Sequence, residues 1–321
     1  MRVLITGAFG FVGTHLSRHL AARGLDVWAL DVAGAPPCHD YAAIFTWDAL
    51  DKIPWHEIHA VVHLAGMAHD TKNTADPQRY FDINTGLTEK ILAACCGGGR
   101  PLPPPRKFIL FSSVKAVADS VDGVLREDHP PAPKTPYGQS KLAAEARVFS
   151  AMEKHPGVLA GYVLRPCMIH GPGNKGNLNL LWNIARRGLP WPLGAFENRR
   201  SFASIENVCA VVEGILRTEI PPGAYQVADD EPLSTNEIIR LVANATACHA
   251  RIWRVPPRLV RFTARVGDVL RLPLDSERLR KLTESYTASN EKIKAALGWE
   301  KMPVAARDGM AATLAAFLKK E

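Results

Sequence analysis

Three glycines spaced three residues apart constrain this chain more than any other feature. Gly7, Gly10 and Gly13 follow a short apolar run, Arg2-Val3-Leu4-Ile5-Thr6, and open a helical pattern carried by Val12, His15, Leu16 and Leu20 to about Arg23. A strand that turns through glycines into a helix presents unpaired backbone N–H groups at the helix N-terminus, and the missing side chains let phosphates approach them closely. The G-x-x-G-x-x-G spacing is one residue longer than the G-x-G-x-x-G dinucleotide turn, and the physics is the same.

An acid stands where such a turn needs one. Asp31 ends a second strand, Val27-Trp28-Ala29-Leu30, and its carboxylate would accept both adenosine ribose hydroxyls of NAD while repelling a 2′-phosphate. Val32 to Cys38 hold no Arg or Lys to neutralise that phosphate, so NAD is favoured over NADP.

Strand and helix patterns then alternate. A third strand ends at Phe45-Thr46-Trp47-Asp48, and a fourth covers His59 to Gly66. A long helix over Asp76 to Cys96 carries an apolar stripe of Tyr80, Ile83, Leu87, Ile91 and Leu92. Beyond a Gly/Pro connector at Gly97 to Pro105 come a fifth strand, Lys107 to Phe111, a helix from Pro136, and a sixth strand, Val158 to Arg165. This alternation predicts an α/β fold with a Rossmann-type doubly wound parallel sheet. After Arg165-Pro166 the texture changes. The pattern predicts a loop over Gly171 to Asn177, helices at Leu178 to Arg187 and Ile205 to Arg217, and short strands at Ser201 to Ala203 and Ala224 to Val227. Ser234-Thr235-Asn236-Glu237 is a capping box opening a helix to Ala245, and an amphipathic segment closes the chain around Ala305 to Leu318. The expected division is an NAD-binding domain over 1–166, with parts of 203–228 returning to it, and a smaller, mostly helical substrate domain over 167–321.

The reactive residues lie near the middle of the chain. Tyr137 and Lys141 are four apart and share a face if residues 136–150 are helical. A free phenol titrates near 10, and a neighbouring cation favours the phenolate, so the pair reads as an acid/base device for a hydroxyl or carbonyl. Ser113, at the end of the apolar run Phe108 to Phe111, can donate to the same oxygen; Ser112 would point the other way on an extended chain.

Composition narrows the class. With 47% hydrophobic and 22% charged residues the chain reads as an ordinary globular protein, and no apolar run approaches the ~20 residues of a membrane span. The N-terminus goes straight into a strand, leaving no room for a signal peptide, so a cytoplasmic enzyme is expected. The net charge is +7, with clusters at Arg186-Arg187, Arg199-Arg200 and Arg251 to Arg271. These read as solvated surface or as sites for anionic small-molecule phosphates; without interleaved aromatics they do not point to nucleic acid. Six cysteines show no C-x-x-C spacing, and Cys95-Cys96 read as small buried hydrophobes. The eleven histidines form no ligand cluster, so no metal is expected.

In combination, the chain resembles the extended short-chain dehydrogenase/reductases, in their nucleotide-sugar epimerase/dehydratase branch. The carriers are Thr6-Gly7-x-x-Gly10-x-x-Gly13, Asp31, Asp48, His63-Leu64-Ala65-Gly66, Asn84, Ser112-Ser113, Tyr137-x-x-x-Lys141, Leu164-Arg165-Pro166, His170-Gly171-Pro172-Gly173, Arg200 and Leu297-Gly298-Trp299. The resemblance implies a catalytic triad of Ser113, Tyr137 and Lys141. It implies cofactor contacts from Gly7, Phe9, Gly10, Phe11, Val12, Asp31, Asp48, Ala49, Leu64, Ala65, Gly66, Asn84 and Pro166, with Asp48 on the adenine amino group and Lys141 on the nicotinamide ribose. Asn177 and Arg200 would hold the diphosphate of a nucleotide sugar, and Lys115 would contact substrate. Each has a plain alternative: a helix-surface amide for Asn84, a loop cap for Asn177, a surface charge for Arg200 and Lys115. The absence of an Asp-Glu pair after the fifth strand argues against a 4,6-dehydratase. Ser-Ser-Val-Lys with Gly188-Leu189-Pro190-x-Pro192-Leu193-Gly194 resembles a bacterial surface-polysaccharide subgroup. The implied reaction is hydride transfer at C4 of a UDP-hexose or UDP-hexosamine, led by UDP-sugar 4-epimerase. A UDP-4-keto-6-deoxy-hexosamine reductase is the alternative, and a non-catalytic NAD-sensing module the distant one. A homodimer through the helices near 76–96 and 136–156 is expected by the same resemblance.

Overall fold

A strand with no polar alternation must be covered on both faces, because successive side chains point to opposite sides of the sheet. A computed structural model of the chain describes residues 1–32, 40–67, 76–96, 106–174, 178–270 and 275–318. Seven such strands form one sheet: β1 (Arg2–Thr6), β2 (Asp26–Asp31), β3 (Ala43–Thr46), β4 (Ala60–His63), β5 (Lys107–Phe111), β6 (Ala160–Pro166) and β7 (Gly223–Val227). All pairings are parallel, in the order β7-β6-β5-β4-β1-β2-β3. The order reverses between β1 and β4, and a sheet of this kind opens a crevice at that switch point, beyond the strands' carboxyl ends.

Alternate residues sort onto two faces. Val3, Ile5, Val27, Ala29, Val62 and Ile109 pack under α1 (Phe11–Ala22), whereas Leu4, Trp28, Leu30, Val61, Phe108 and Leu110 pack under α2 (residues 77–96) and α3 (Pro136–Lys154). Cys95 lies in the second of these cores. The connector at 97–105 lies outside the described residues.

The long helix expected over 76–96 forms with one departure. Pro77–Tyr80 and Gly86–Cys96 are α-helical, but Phe81–Thr85 is a π turn. The extra residue turns Asn84 and Thr85 inward, where Asn84 Nδ2 donates to Ser140 Oγ (3.0 Å) and Thr85 Oγ1 to the Ser140 carbonyl (3.0 Å) on α3. Single π turns of this kind gather at functional sites. The third and fourth strands end sooner than the sequence suggests, so Trp47-Asp48 and Leu64 to Gly66 stand in the loops past their ends.

The remainder is built on α4 (Leu178–Ala185), α5 (Ile205–Arg217), α6 (Thr235–Ala245), α7 (Pro257–Leu270), α8 (Ser276–Thr283), α9 (Glu291–Leu297) and α10 (Ala306–Leu318). The capping box is present: Ser234 Oγ accepts from Glu237 N, and Glu237 accepts from Ser234 N. α5 returns to the sheet beside α1, and Lys107 caps its end, with Nζ donating to the carbonyls of Ile215 (2.8 Å), Leu216 (3.4 Å) and Thr218 (2.9 Å). A second core, with Trp182, Trp191, Phe202, Ile238, Val242, Val260, Leu314 and Phe317, holds α4, α6, α7, α8 and α10, whereas Ile293 of α9 packs with the sheet face under α1. Two short parallel pairs, Val124–Leu125 with Thr287–Ala288 and Met168–His170 with Phe202–Ser204, join this part to the sheet's carboxyl end. Among the described residues no helix is long and apolar enough to cross a membrane.

Candidate active site

The glycine turn is a cradle in which side chains do not fit. A Cβ on Gly13 would lie 2.3 Å from the Gly7 carbonyl oxygen, and one on Gly7, whose φ is +67°, would lie 2.7 Å from Ala65 N. Gly10 caps α1 without a side-chain hydrogen bond, so the amides of Phe11 and Val12 remain at the helix mouth. Asp31 at the tip of β2 faces this turn: Oδ2 accepts from Phe9 N (2.7 Å) and Oδ1 from Val32 N (2.8 Å). The pairing of Asp31 with Thr46 brings exposed Asp48 and half-buried Ala49, just past β3, to the same edge. The Thr46 hydroxyl holds the Asp48 carboxyl below its ordinary value. Pro166 ends β6 and is buried.

Across the switch point, Leu64, Ala65 and Gly66 follow β4. A Cβ on Gly66 would lie 2.7 Å from Asn84 Oδ1 and 3.1 Å from Lys141 Nζ, so the three residues converge. Asn84 is buried, not a helix-surface amide; its Oδ1 accepts from Met67 N (2.8 Å). A buried chain of bonds runs beneath this loop. Ala65 N donates to Thr6 Oγ1 (3.2 Å), Thr6 Oγ1 meets His63 Nδ1 (2.6 Å), His63 Nε2 meets Thr88 Oγ1 (3.1 Å), and Thr88 Oγ1 donates to the Asn84 carbonyl (2.7 Å). One assignment satisfies every bond: the threonine hydroxyls donate to Nδ1 and to the carbonyl, and the imidazole carries its proton on Nε2. Burial, with Lys141 nearby, pushes the His63 pKa down to about 3.

Ser113, Tyr137 and Lys141 meet at the carboxyl end of β5. Ser113 is extended and caps a 3-10 turn over Val114–Ala116, with Oγ accepting from Lys115 N. Thr135 caps α3 by accepting from Gly138 N, and Pro136 occupies the first turn, where its missing N–H costs nothing. Asp119 fixes the approach, accepting from Lys134 N (2.7 Å) and Thr135 Oγ1 (3.2 Å). The Tyr137 phenol hydrogen-bonds Ser113 and packs edge-on to Tyr80, with centroids 6.1 Å apart.

The electrostatics of the pair differ between its two members. Burial raises the Tyr137 pKa, the Ser113 hydrogen bond opposes the rise, and Tyr80 adds to it. Lys141 donates to the Phe111 carbonyl (Nζ 3.0 Å) and borders the Gly66–Asn84 corner. Burial pushes its ammonium down to about 8, against the pull of Glu145 one turn on. That carboxylate is buried and accepts from Arg165 Nη2 (2.6 Å) and Nε (3.0 Å) and from Ser112 Oγ (2.5 Å). Ser112 thus faces away from the phenol, as its extended backbone requires.

Lys115 and Arg200 are half-buried rather than solvated, and lie within electrostatic reach of one another. Lys115 Nζ donates to the Asp119 carbonyl (2.6 Å) and sits 4.2 Å over the Tyr286 ring, whose hydroxyl donates to Ala118 O. Arg200 Nη1 donates to Lys281 O (2.6 Å), and burial lowers its pKa while Glu284 opposes the fall. Asn177 lies outside the described residues. Among those residues no group of three or more His, Cys, Asp or Glu side chains is placed to hold a metal. Glu145, Tyr286 and Thr88 carry no sequence signal of their own, and Thr6, His63 and Tyr80, which stand in the quoted motifs and stripe, gave no sign of these polar and aromatic contacts.

The model of the NAD dependent epimerase/dehydratase family matches residues 3–228. A UDP-glucose 4-epimerase of Vibrio cholerae is 28% identical over 327 residues, covering 99% of this chain and 95% of that one. A GDP-6-deoxy-D-mannose reductase of Pseudomonas aeruginosa is 29% identical over 279 residues, 82% of this chain and 86% of that one. Among solved structures, the UDP-glucose 4-epimerase of Thermus thermophilus in complex with NAD superposes with a TM-score of 0.73 at 25% identity, covering 99% of both chains.

Proposed function

This chain belongs to the NAD dependent epimerase/dehydratase family, and we propose that it acts at C4 of a UDP-hexose or UDP-hexosamine as a UDP-sugar 4-epimerase. It is an NAD-dependent enzyme of the nucleotide-sugar epimerase/dehydratase type. The observation that carries the reading is the Ser113–Tyr137 hydrogen bond set beside Lys141, Gly66 and Asn84 at the sheet's switch point.

The residues present fit the cofactor, since the Gly7 to Gly13 cradle would be filled by any side chain. In this reading the amides of Phe11 and Val12 hold the pyrophosphate and Asp31 takes the adenosine ribose. Bound NAD supplies a hydride acceptor that can return the hydride to either face of the sugar. Tyr137 Oη, as phenolate, takes the proton of the C4 hydroxyl and gives it back; Ser113 hydrogen-bonds the same oxygen and favours the phenolate. Lys141 holds the ribose side and stays in place through the Phe111 carbonyl. Lys115 and Arg200, two cations kept half-buried, suit the diphosphate of the substrate. Supporting this reading, the Vibrio cholerae relative is named for 4-epimerisation and covers nearly the whole chain.

The test supplies UDP-glucose and UDP-N-acetylglucosamine separately, with NAD in catalytic amount. Formation of the C4 epimer is expected, and Tyr137→Phe should lower turnover by ~10²–10⁴ without altering the fold. The Pseudomonas aeruginosa relative supports a second reading, net reduction of a 4-keto sugar. Activity seen only with stoichiometric NADH and a 4-keto substrate would replace the first reading by the second.

A further inference from the structure

Helix α7 carries two apolar stripes, and the fold uses one. Val260, Ala264 and Gly267 face the second core and are buried. Leu259, Phe262, Val266, Val269 and Leu270 repeat at the same helical spacing on a different face and are left in solvent, Phe262 63% and Val269 81% exposed. At about 100° per residue this outer stripe lies well round the helix from the buried one, and Arg258, Arg261 and Arg265 form a row along its border. Trp253, four residues before the helix begins, is 56% exposed as well. Neither the core nor the proposed reaction has a use for these side chains.

We propose that α7 docks the enzyme on an anionic phospholipid surface, lying in the headgroup plane with Leu259, Phe262, Val266 and Val269 inserted. A contiguous exposed apolar patch rimmed by cations calls for an occupant that is apolar and negative at once. A second copy of this chain meets only half of that demand, because an antiparallel two-fold pairing sets like arginine rows along one seam and a parallel one brings them no acidic row. The helix's single acid does not balance them: Asp268 lies within electrostatic reach of Arg265, but it is one carboxylate against three arginines and already accepts from Ser276 N (2.8 Å) and Oγ (2.6 Å) at the start of α8. A bilayer bearing anionic headgroups satisfies both, with the arginine stems lying along the apolar boundary and the guanidinium groups on phosphate. This surface revises the expectation of no membrane partner and is independent of which sugar reaction the enzyme performs.

The full chain is sedimented with vesicles of phosphatidylcholine alone and with about one-third phosphatidylglycerol, at about 0.1 M salt. Binding to the anionic vesicles, and much weaker binding to the neutral ones, is expected. Removing each arginine should weaken binding roughly fivefold, so Arg258→Gln with Arg265→Gln should cost roughly 25-fold. Phe262→Ser with Val269→Ser should cost tenfold or more, and because all four side chains are exposed, circular dichroism should show unchanged folding. Equal pelleting with both vesicle types, or no loss in either variant, overturns the proposal. So does sedimentation velocity in which Phe262→Ser dissociates an oligomer while no vesicle binding is seen.

Discussion

Acidifying this protein from pH 7 to pH 5 should cost about 2 kcal/mol of stability through His63 alone. The imidazole titrates near its ordinary value of 6.5 when unfolded and at about 3 when folded. A folded value below the unfolded one means the unfolded chain binds the proton first, so stability is complete above pH 6.5 and falls as the pH drops toward 3. Between pH 7 and pH 5 the unfolded state alone takes up the proton, which at 1.36 kcal/mol per pH unit below 6.5 gives about 2 kcal/mol. That figure is insensitive to the folded value as long as it lies below 4. Protonation also breaks a bond, because Nδ1 must accept from Thr6 Oγ1 for the chain from Ala65 to Asn84 to be satisfied. The assay is urea unfolding followed by circular dichroism at pH 7 and pH 5, for the wild type and for His63→Gln. The variant lowers stability at both pH values, since glutamine fills the site less well, but it removes the titration. The wild type should lose about 2 kcal/mol more than the variant on acidification, other groups cancelling in the difference. Losses equal to within ~0.5 kcal/mol would refute the buried neutral imidazole.

Two further outcomes follow from the buried polar groups. With the Tyr137 pKa raised by burial, log kcat/KM should climb with pH above neutrality; Ser113→Ala removes the opposing hydrogen bond and should move that limb to higher pH, costing roughly tenfold or more at pH 7.5. A pH–rate series on both proteins checks it, and an unmoved limb would take Ser113 away from the phenol. Lys107→Met strips three carbonyls near the end of α5 of a buried ammonium and should destabilise the protein by about 2–4 kcal/mol in thermal or urea unfolding. The ion pair to Glu219 adds little, because that carboxylate is almost fully exposed.

The sheet was legible because its signals are local. Val3 to Ile5, Val61-Val62 and Phe108 to Leu110 are runs that only a doubly covered strand can use, and glycine, aspartate and the Tyr–Lys spacing mark where each turn leads. Ser234 and Glu237 are equally local, and their box formed as written. What stayed hidden depends on partners far along the chain. The π turn exists because Asn84 and Thr85 find Ser140, 56 and 55 residues away, and nothing in Phe81 to Thr85 announces it. For Lys115 and Arg200 the sequence left a substrate contact and a surface charge both open, and their half-buried settings under Tyr286 and beside Lys281 depend on residues far along the chain. The outer stripe of α7 has the period of any amphipathic helix, and only its neighbours show that Val260 faces the core and Phe262 does not.

The polar groups buried at the switch point share a physical origin. Loops that must approach a ligand give up the regular ladder, so their N–H groups need other acceptors. Ala65 N is answered by Thr6, and Met67 N by Asn84, whose amide then reaches Ser140 on the helix that carries Tyr137 and Lys141. The loop after β4, the π turn and α3 are therefore bonded into one unit, with His63 as the joint beneath it. A proton on that imidazole and a proton on the Tyr137 phenol act at opposite ends of the same unit and at opposite ends of the pH scale. Acid should loosen the floor of the site through His63, and alkali should activate the phenol above it. The extra loss of stability below pH 6 should therefore vanish in His63→Gln, while the rise of kcat/KM with pH, set by Tyr137, keeps the same limb in both proteins.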